Sequence, residues 1–168
     1  RRLRLRQLMR TVREYGPPPW AEIAGQASCK YATPTCARSI ALPWVRVLID
    51  EMIAGQPGPV LVDIRWWARL NPGDLPGLPH WHYDCFNAAG ASDDTHLIYF
   101  AGAGCRPMFA CGGRPPEGAI VAYDHDDQHR VMPATEMGPR LLVRVSRPHL
   151  RAANRIAPPP RFPALSLS

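Results

Sequence analysis

The sequence contains no apolar run that approaches the roughly 20 residues a helix needs to cross a bilayer, and no segment with the charged start and hydrophobic centre of a signal peptide. A membrane role is therefore not expected, and the cytoplasm is the expected compartment. Internal repeats are missing too, which sets aside solenoids and propellers. The five cysteines, at positions 29, 36, 85, 105 and 111, are an odd number. Cys29-x6-Cys36 and Cys105-x5-Cys111 lack the tight spacing of structural zinc sites, so reduced thiols are expected. Most of the chain also lacks excess charge. The net +6 looks like a signal for nucleic acid, but residues 1–15 hold six arginines against one glutamate, a net +5, which leaves +1 for everything else.

What is present suits one domain. The chain has 168 residues, 46% of them hydrophobic, enough for a real core and hardly enough for two. In the basic segment Leu5, Leu8, Met9, Val12 and Tyr15 recur at helical spacing with the arginines mostly around the other side, which predicts a basic helix over 1–16. Such a helix packs on the domain with its arginines solvated, or offers them to nucleic acid, an acidic partner or a membrane surface. Gly16-Pro17-Pro18-Pro19 would stop it, because prolines cannot continue a helix. Residues 20–37 give no firm assignment. Ser39 to Gly55 predicts a second helix, over 39–54. Pro43 lies in its first turn, Trp44, Val45, Leu48, Ile49, Met52 and Ile53 form an apolar stripe, and Gly55 marks the exit.

From Val60 the period changes to two. Val60, Val62, Ile64, Trp66, Ala68 and Leu70 are apolar, while Asp63, Arg65, Trp67 and Arg69 fall on the other face. Asn71-Pro72-Gly73-Asp74 reads as a turn into a strand at His80–Phe86. Further strands are expected at His96–Ala101, Pro107–Ala110, Gly118–Tyr123, His129–Ala134 and Arg140–Arg147. Short strands between Gly/Pro turns indicate an antiparallel sandwich or barrel. The stretch 157–168, with Pro158-Pro159-Pro160 and Pro163, is expected to be a loosely held tail.

His82-Tyr83-Asp84 carries the first chemistry. Two residues apart on a strand, His82 and Asp84 leave the same face and can reach one ion. His129, 45 residues after Asp84, can supply a third ligand from another strand. Two histidine nitrogens and one carboxylate oxygen cover one face of an octahedral iron(II) and leave three positions open. The bland alternative keeps both histidines as hydrogen-bonded core residues. His80 shares the expected face and is an alternative ligand, a supporting neighbour or a substrate contact. His96, His125 and His149 are expected at the surface or in loops.

Arg144-Val145-Ser146 carries the second. Arg144 and Ser146 point the same way, and a planar guanidinium can grip a carboxylate with two parallel hydrogen bonds while a hydroxyl adds a third. If Leu141, Val143 and Val145 pack against another layer, Arg140, Leu142, Arg144 and Ser146 face the interior. The alternative is an exposed polar face with both arginines in solvent.

Together, His82-x-Asp84, His129 and Arg144-x-Ser146, 15 residues after His129, resemble the iron(II)/2-oxoglutarate-dependent oxygenases. The likeness runs from about Val60 to Arg147 and includes the Asn71–Asp74 turn and the Gly118–Tyr123 strand ahead of His129. It implies a double-stranded β-helix, or jelly roll; with the helices above, the chain is expected to be mainly β with N-terminal helices, a basic helix over 1–16 and a single jelly-roll domain over 17–156 that contains the helix 39–54. It also implies Fe(II) on His82, Asp84 and His129, 2-oxoglutarate on Arg144 and Ser146, and O2 at the last iron position. The substrate would be a small molecule or peptide, hydroxylated at a C–H bond, and a carboxylate at Asp84 favours this over halogenation. Substrate contact is expected of Arg65, Trp67 and Arg69, of His80 and Trp81, and of Arg140. Two rivals stay open: a cupin-type metalloenzyme without 2-oxoglutarate, using His80-x-His82 and His129, and a non-enzymatic β-sandwich whose basic helix binds nucleic acid or an acidic protein.

Overall fold

The computed structural model of the protein describes residues 9–56, 58–83, 95–110, 113–124, 127–147 and 155–156. In chain order these form β1 (Arg10–Glu14), β2 (Cys29–Ala32), α1 (Pro34–Ile40), α2 (Pro43–Ala54), β3 (Leu61–Leu70), β4 (His82–Tyr83), β5 (Thr95–Ala101), β6 (Met108–Phe109), β7 (Ala119–Asp124), β8 (His129–Arg130), β9 (Gly138–Ser146) and β10 (Arg155–Ile156). Two antiparallel sheets result, in the orders β1-β7-β5-β9-β3-β2 and β10-β4-β8-β6. From β3 to β10 successive strands alternate between the large and the small sheet. That winding makes a mainly β, jelly-roll-like sandwich. No helix among the described residues is long and apolar enough to cross a membrane.

Period two builds the large sheet's two faces. Val62, Ile64, Leu97, Tyr99, Ile120, Ala122, Leu141, Val143 and Val145 point outward and pack against Ala37 of α1 and Val45, Leu48, Ile49 and Met52 of α2. Each fully buried aliphatic side chain of this set contributes about 1.5–3 kcal/mol. The alternate residues Ile98, Phe100, Val121, Tyr123 and Leu142 point inward and meet Phe109 of the small sheet. The apolar residues of β9 therefore cover the helices, and Arg140, Arg144 and Ser146 are buried on the inner side. The turn after β3 uses its residues as expected. Asp74 N–H donates to Asn71 O at 3.0 Å, the Asp74 carboxylate accepts from Asn71 N–H at 2.7 Å, and Gly73 takes φ +93°.

Several expectations need correction. Arg10–Glu14 is an edge strand paired with β7, where a helix over 1–16 was expected; residues 1–8 lie outside the described residues. The helical stripe misleads because Thr11 and Val12 are β-branched and β7 offers an unpaired edge. Val12 is 46% exposed, and Tyr15 and Gly16 N–H both donate to Gly118 O, at 2.8 and 2.9 Å. Arg13 and Tyr15 also bond Glu51 of α2, tying β1 to the helix layer.

The helix expected over 39–54 is divided. α1 starts earlier, with the Thr33 hydroxyl accepting from Cys36 N–H at 3.3 Å, and Ala41 and Leu42 are extended. Leu42 precedes Pro43, whose ring disfavours helical backbone at the preceding residue, so α2 must begin afresh with Pro43 in its first turn. The strand expected at His129–Ala134 is shorter, since Val131 and Ala134 N–H bond back to Leu78 O and Asp74 O, both at 2.9 Å. The strand expected at His80–Phe86 holds His82–Tyr83; residues 84–86 and the tail 157–168 lie outside the described residues. Cys29, Cys36 and Cys105 are free thiols, while Cys85 and Cys111 lie outside the described residues.

Candidate metal centre

β4 and β8 pair so that His82 and His129 stand directly opposite each other. Both side chains are buried, and their ring centroids are 4.4 Å apart. His82 Nδ1 lies 2.8 Å from His80 O, and His129 Nδ1 lies 3.1 Å from Asp127 O. A carbonyl oxygen only accepts, so in each neutral ring Nδ1 carries the proton and Nε2 keeps the lone pair. The same device occurs twice, each time with the carbonyl two residues upstream. It fixes the tautomer and ring orientation that metal-bound histidines normally have. Two strands thus deliver two ligand-ready imidazoles to one place. Asp84, expected as the carboxylate ligand, lies outside the described residues, and no group of three such ligands forms among the described residues.

Aromatic rings wall this pair. Phe109 stacks on His129 with centroids 5.1 Å apart, and Tyr123 meets the same ring edge-on at 5.3 Å. Tyr123 in turn stacks on His96 at 4.9 Å, and His96 Nδ1 is 2.8 Å from Ser146 Oγ. His96 is therefore not the surface or loop residue expected but a fully buried member of the inner face. Its signal was available: His96, Ile98 and Phe100 share one face by period two. The expected cosubstrate residue Ser146 has His96 as its partner.

Arg144 meets Asp63, its direct neighbour on β3. Arg144 Nε donates to Asp63 Oδ2 at 2.8 Å and Nη2 to the same oxygen, while Asp63 Oδ1 accepts from Tyr31 N–H at 2.7 Å. One edge of the guanidinium is thus engaged by a buried carboxylate that is itself fixed from β2. By period two Asp63 falls on the face of β3 opposite the apolar residues, but no role for it follows from that, because which residue of β9 stands opposite is a matter of register.

The six expected substrate contacts separate. Arg140 is 2% exposed, with its guanidinium carbon 4.8 Å over the Trp67 ring, and Arg65 and Trp67 share that inner face. Burial pushes the Arg140 guanidinium below its ordinary value; the Cys105 thiol partly opposes this and the charge of Arg65 adds to it. Burial also pushes the Cys105 thiol up. Trp81 is buried beneath the Arg130 guanidinium, 4.9 Å from its ring centroid. Arg69 and His80 are exposed. His80 sits in a bend ahead of β4 and so leaves the face it was expected to share with His82, contributing its backbone carbonyl instead.

No protein-family model and no curated protein matches this chain. One solved structure is similar in part: a sugar phosphate isomerase of the cupin superfamily from Silicibacter pomeroyi. The likeness is 19% identical, covers 56% of this chain and 54% of that one, and has a TM-score of 0.34. The chain thus matches about half the length of that protein, and a likeness this partial says nothing of the chemistry here.

Proposed function

We propose that the protein is an iron(II)- and 2-oxoglutarate-dependent dioxygenase that oxidises a C–H bond of a small-molecule or peptide substrate. The observation that carries this is the His82–His129 pair, with both Nδ1 atoms committed to backbone carbonyls inside a jelly-roll-like sandwich. The alternation of strands between two sheets supports a double-stranded β-helix. Asp84, two residues after His82 in the sequence, would complete the ligand set. Iron(II) bound there with 2-oxoglutarate supplies activation of O2, coupled to decarboxylation of the cosubstrate to succinate.

The chain's own residues do the rest. The two backbone carbonyls orient the imidazoles and raise their basicity. Phe109 and Tyr123 give His129 a dry wall. Asp63 holds Arg144 by its Nε edge and so fixes the direction of the fork with which it would grip the distant carboxylate of 2-oxoglutarate beside Ser146.

A second reading has an observation of its own. Arg144 and Ser146 already have partners in Asp63 and His96, as they would in a cupin-type metalloenzyme that takes no 2-oxoglutarate. Anaerobic addition of Fe(II) and then 2-oxoglutarate separates the two. The oxygenase gives a visible charge-transfer band and slow succinate formation in air, both lost in Arg144→Ala while iron stays bound. Iron bound with no band in the unaltered protein supports the cupin-type reading instead.

A further inference from the structure

We propose that Arg140, with Arg65 and Trp67 beside it, binds the oxyanion end of a small acid, a carboxylate or a phosphate, at a second site in the sandwich interior. Arg140 and Ser146 lie on the same face of β9, six residues apart, or about 20 Å along the strand. The site is therefore separate from Ser146 and His96.

Arg140 is among the largest fully buried side chains. A buried guanidinium is costly unless an anion answers it. Among the described residues no carboxylate hydrogen-bonds to it, and the charge of Glu117 favours it less than that of Arg65 opposes it. Its contacts are the face of the Trp67 indole and the Cys105 thiol. That thiol is neutral and already donates to Met132 O at 2.9 Å. The charge of a second cation, Arg65, diagonally across on β3, acts against it. Glu117 is exposed and its carboxylate accepts from Gly102 N–H. Arg140 Nε is fully buried and has no hydrogen-bond partner. Four residues along the same strand face, Arg144 shows how the fold neutralises an arginine when it does so internally: an aspartate stands in register with it. At Arg140 the residue in register is Trp67, whose ring lies beneath the guanidinium, and Nε is left without a hydrogen-bond partner.

The test is a thermal-shift titration of the full chain with succinate and, separately, inorganic phosphate, ionic strength being held constant with sodium chloride. A saturable rise in Tm is expected with at least one probe. Response to succinate alone assigns a carboxylate, and response to phosphate alone a phosphate. Arg140→Met, which replaces the buried cation with an apolar side chain, should fold with a Tm at or above that of the unaltered protein and lose the response. Arg65→Gln, a change at a half-buried position, should weaken the midpoint by about tenfold or less. An undiminished response in Arg140→Met, or no saturable response to either probe, overturns the proposal. The titration needs no metal, so its failure leaves the metal centre untouched.

Discussion

Arg140 and Arg144 leave the same face of β9, four residues apart, and meet opposite surroundings. Arg144 finds Asp63 directly across on β3, and that aspartate is itself pinned by the Tyr31 backbone N–H. Arg140 finds Trp67, a neutral thiol and a second arginine. Both are buried, and both belong to the same run of alternating residues. The difference follows the register partner that β3 presents. A buried arginine on this inner face thus meets one of two surroundings: an acid in register, which holds and orients Arg144, or an indole in register, which leaves Arg140 for the ligand proposed above.

The sharpest way to break this comparison is Asp63→Ala. It removes the buried carboxylate that faces Arg144, and chemical denaturation should show a loss of about 3–5 kcal/mol. Arg140→Met should cost little or nothing by the same measurement. Equal losses in the two variants would mean that the arginines are not differently neutralised. Next in size is Trp67→Leu, which removes the indole face under Arg140 and should cost about 0.5–2 kcal/mol from the cation–π contact, with lost packing in addition. A change near zero would show that Trp67 is a bystander. The smallest expected effect is Ser146→Ala. Removing the hydroxyl that meets His96 Nδ1 should cost about 0.5–1.5 kcal/mol and leave metal binding unaltered. A loss of metal in that variant would tie the His96–Ser146 contact to the metal centre.

The same comparison shows what the sequence reveals and what it withholds. Period two places Arg140, Arg144 and Ser146 on one face and Leu141, Val143 and Val145 on the other, and the fold follows that division. The Asn71–Asp74 turn is equally legible, because Pro, Gly and Asp each have a local reason to be there. Register is not local. Nothing in β3 or β9 alone tells that Asp63 rather than Arg65 will stand opposite Arg144. β1 fails for a related reason: its helical stripe is real as a pattern, but the open edge of β7 outweighs it. The break at Leu42 was readable from Pro43 and was obscured by the length of the apolar stripe. For the metal centre, spacing suggested His82 and His129, whereas the backbone carbonyls that set their tautomers belong to the folded chain alone.

The oxygenase and cupin-type readings both depend on His82 and His129 holding a metal through Nε2. The most direct test is anaerobic iron(II) binding to the unaltered protein and to His82→Ala, His129→Ala and His80→Ala. One tightly bound iron per chain is expected in the unaltered protein and in His80→Ala, whose side chain is exposed, with binding lost in the other two variants. Iron held equally well by all four proteins, or by none, would contradict the claim.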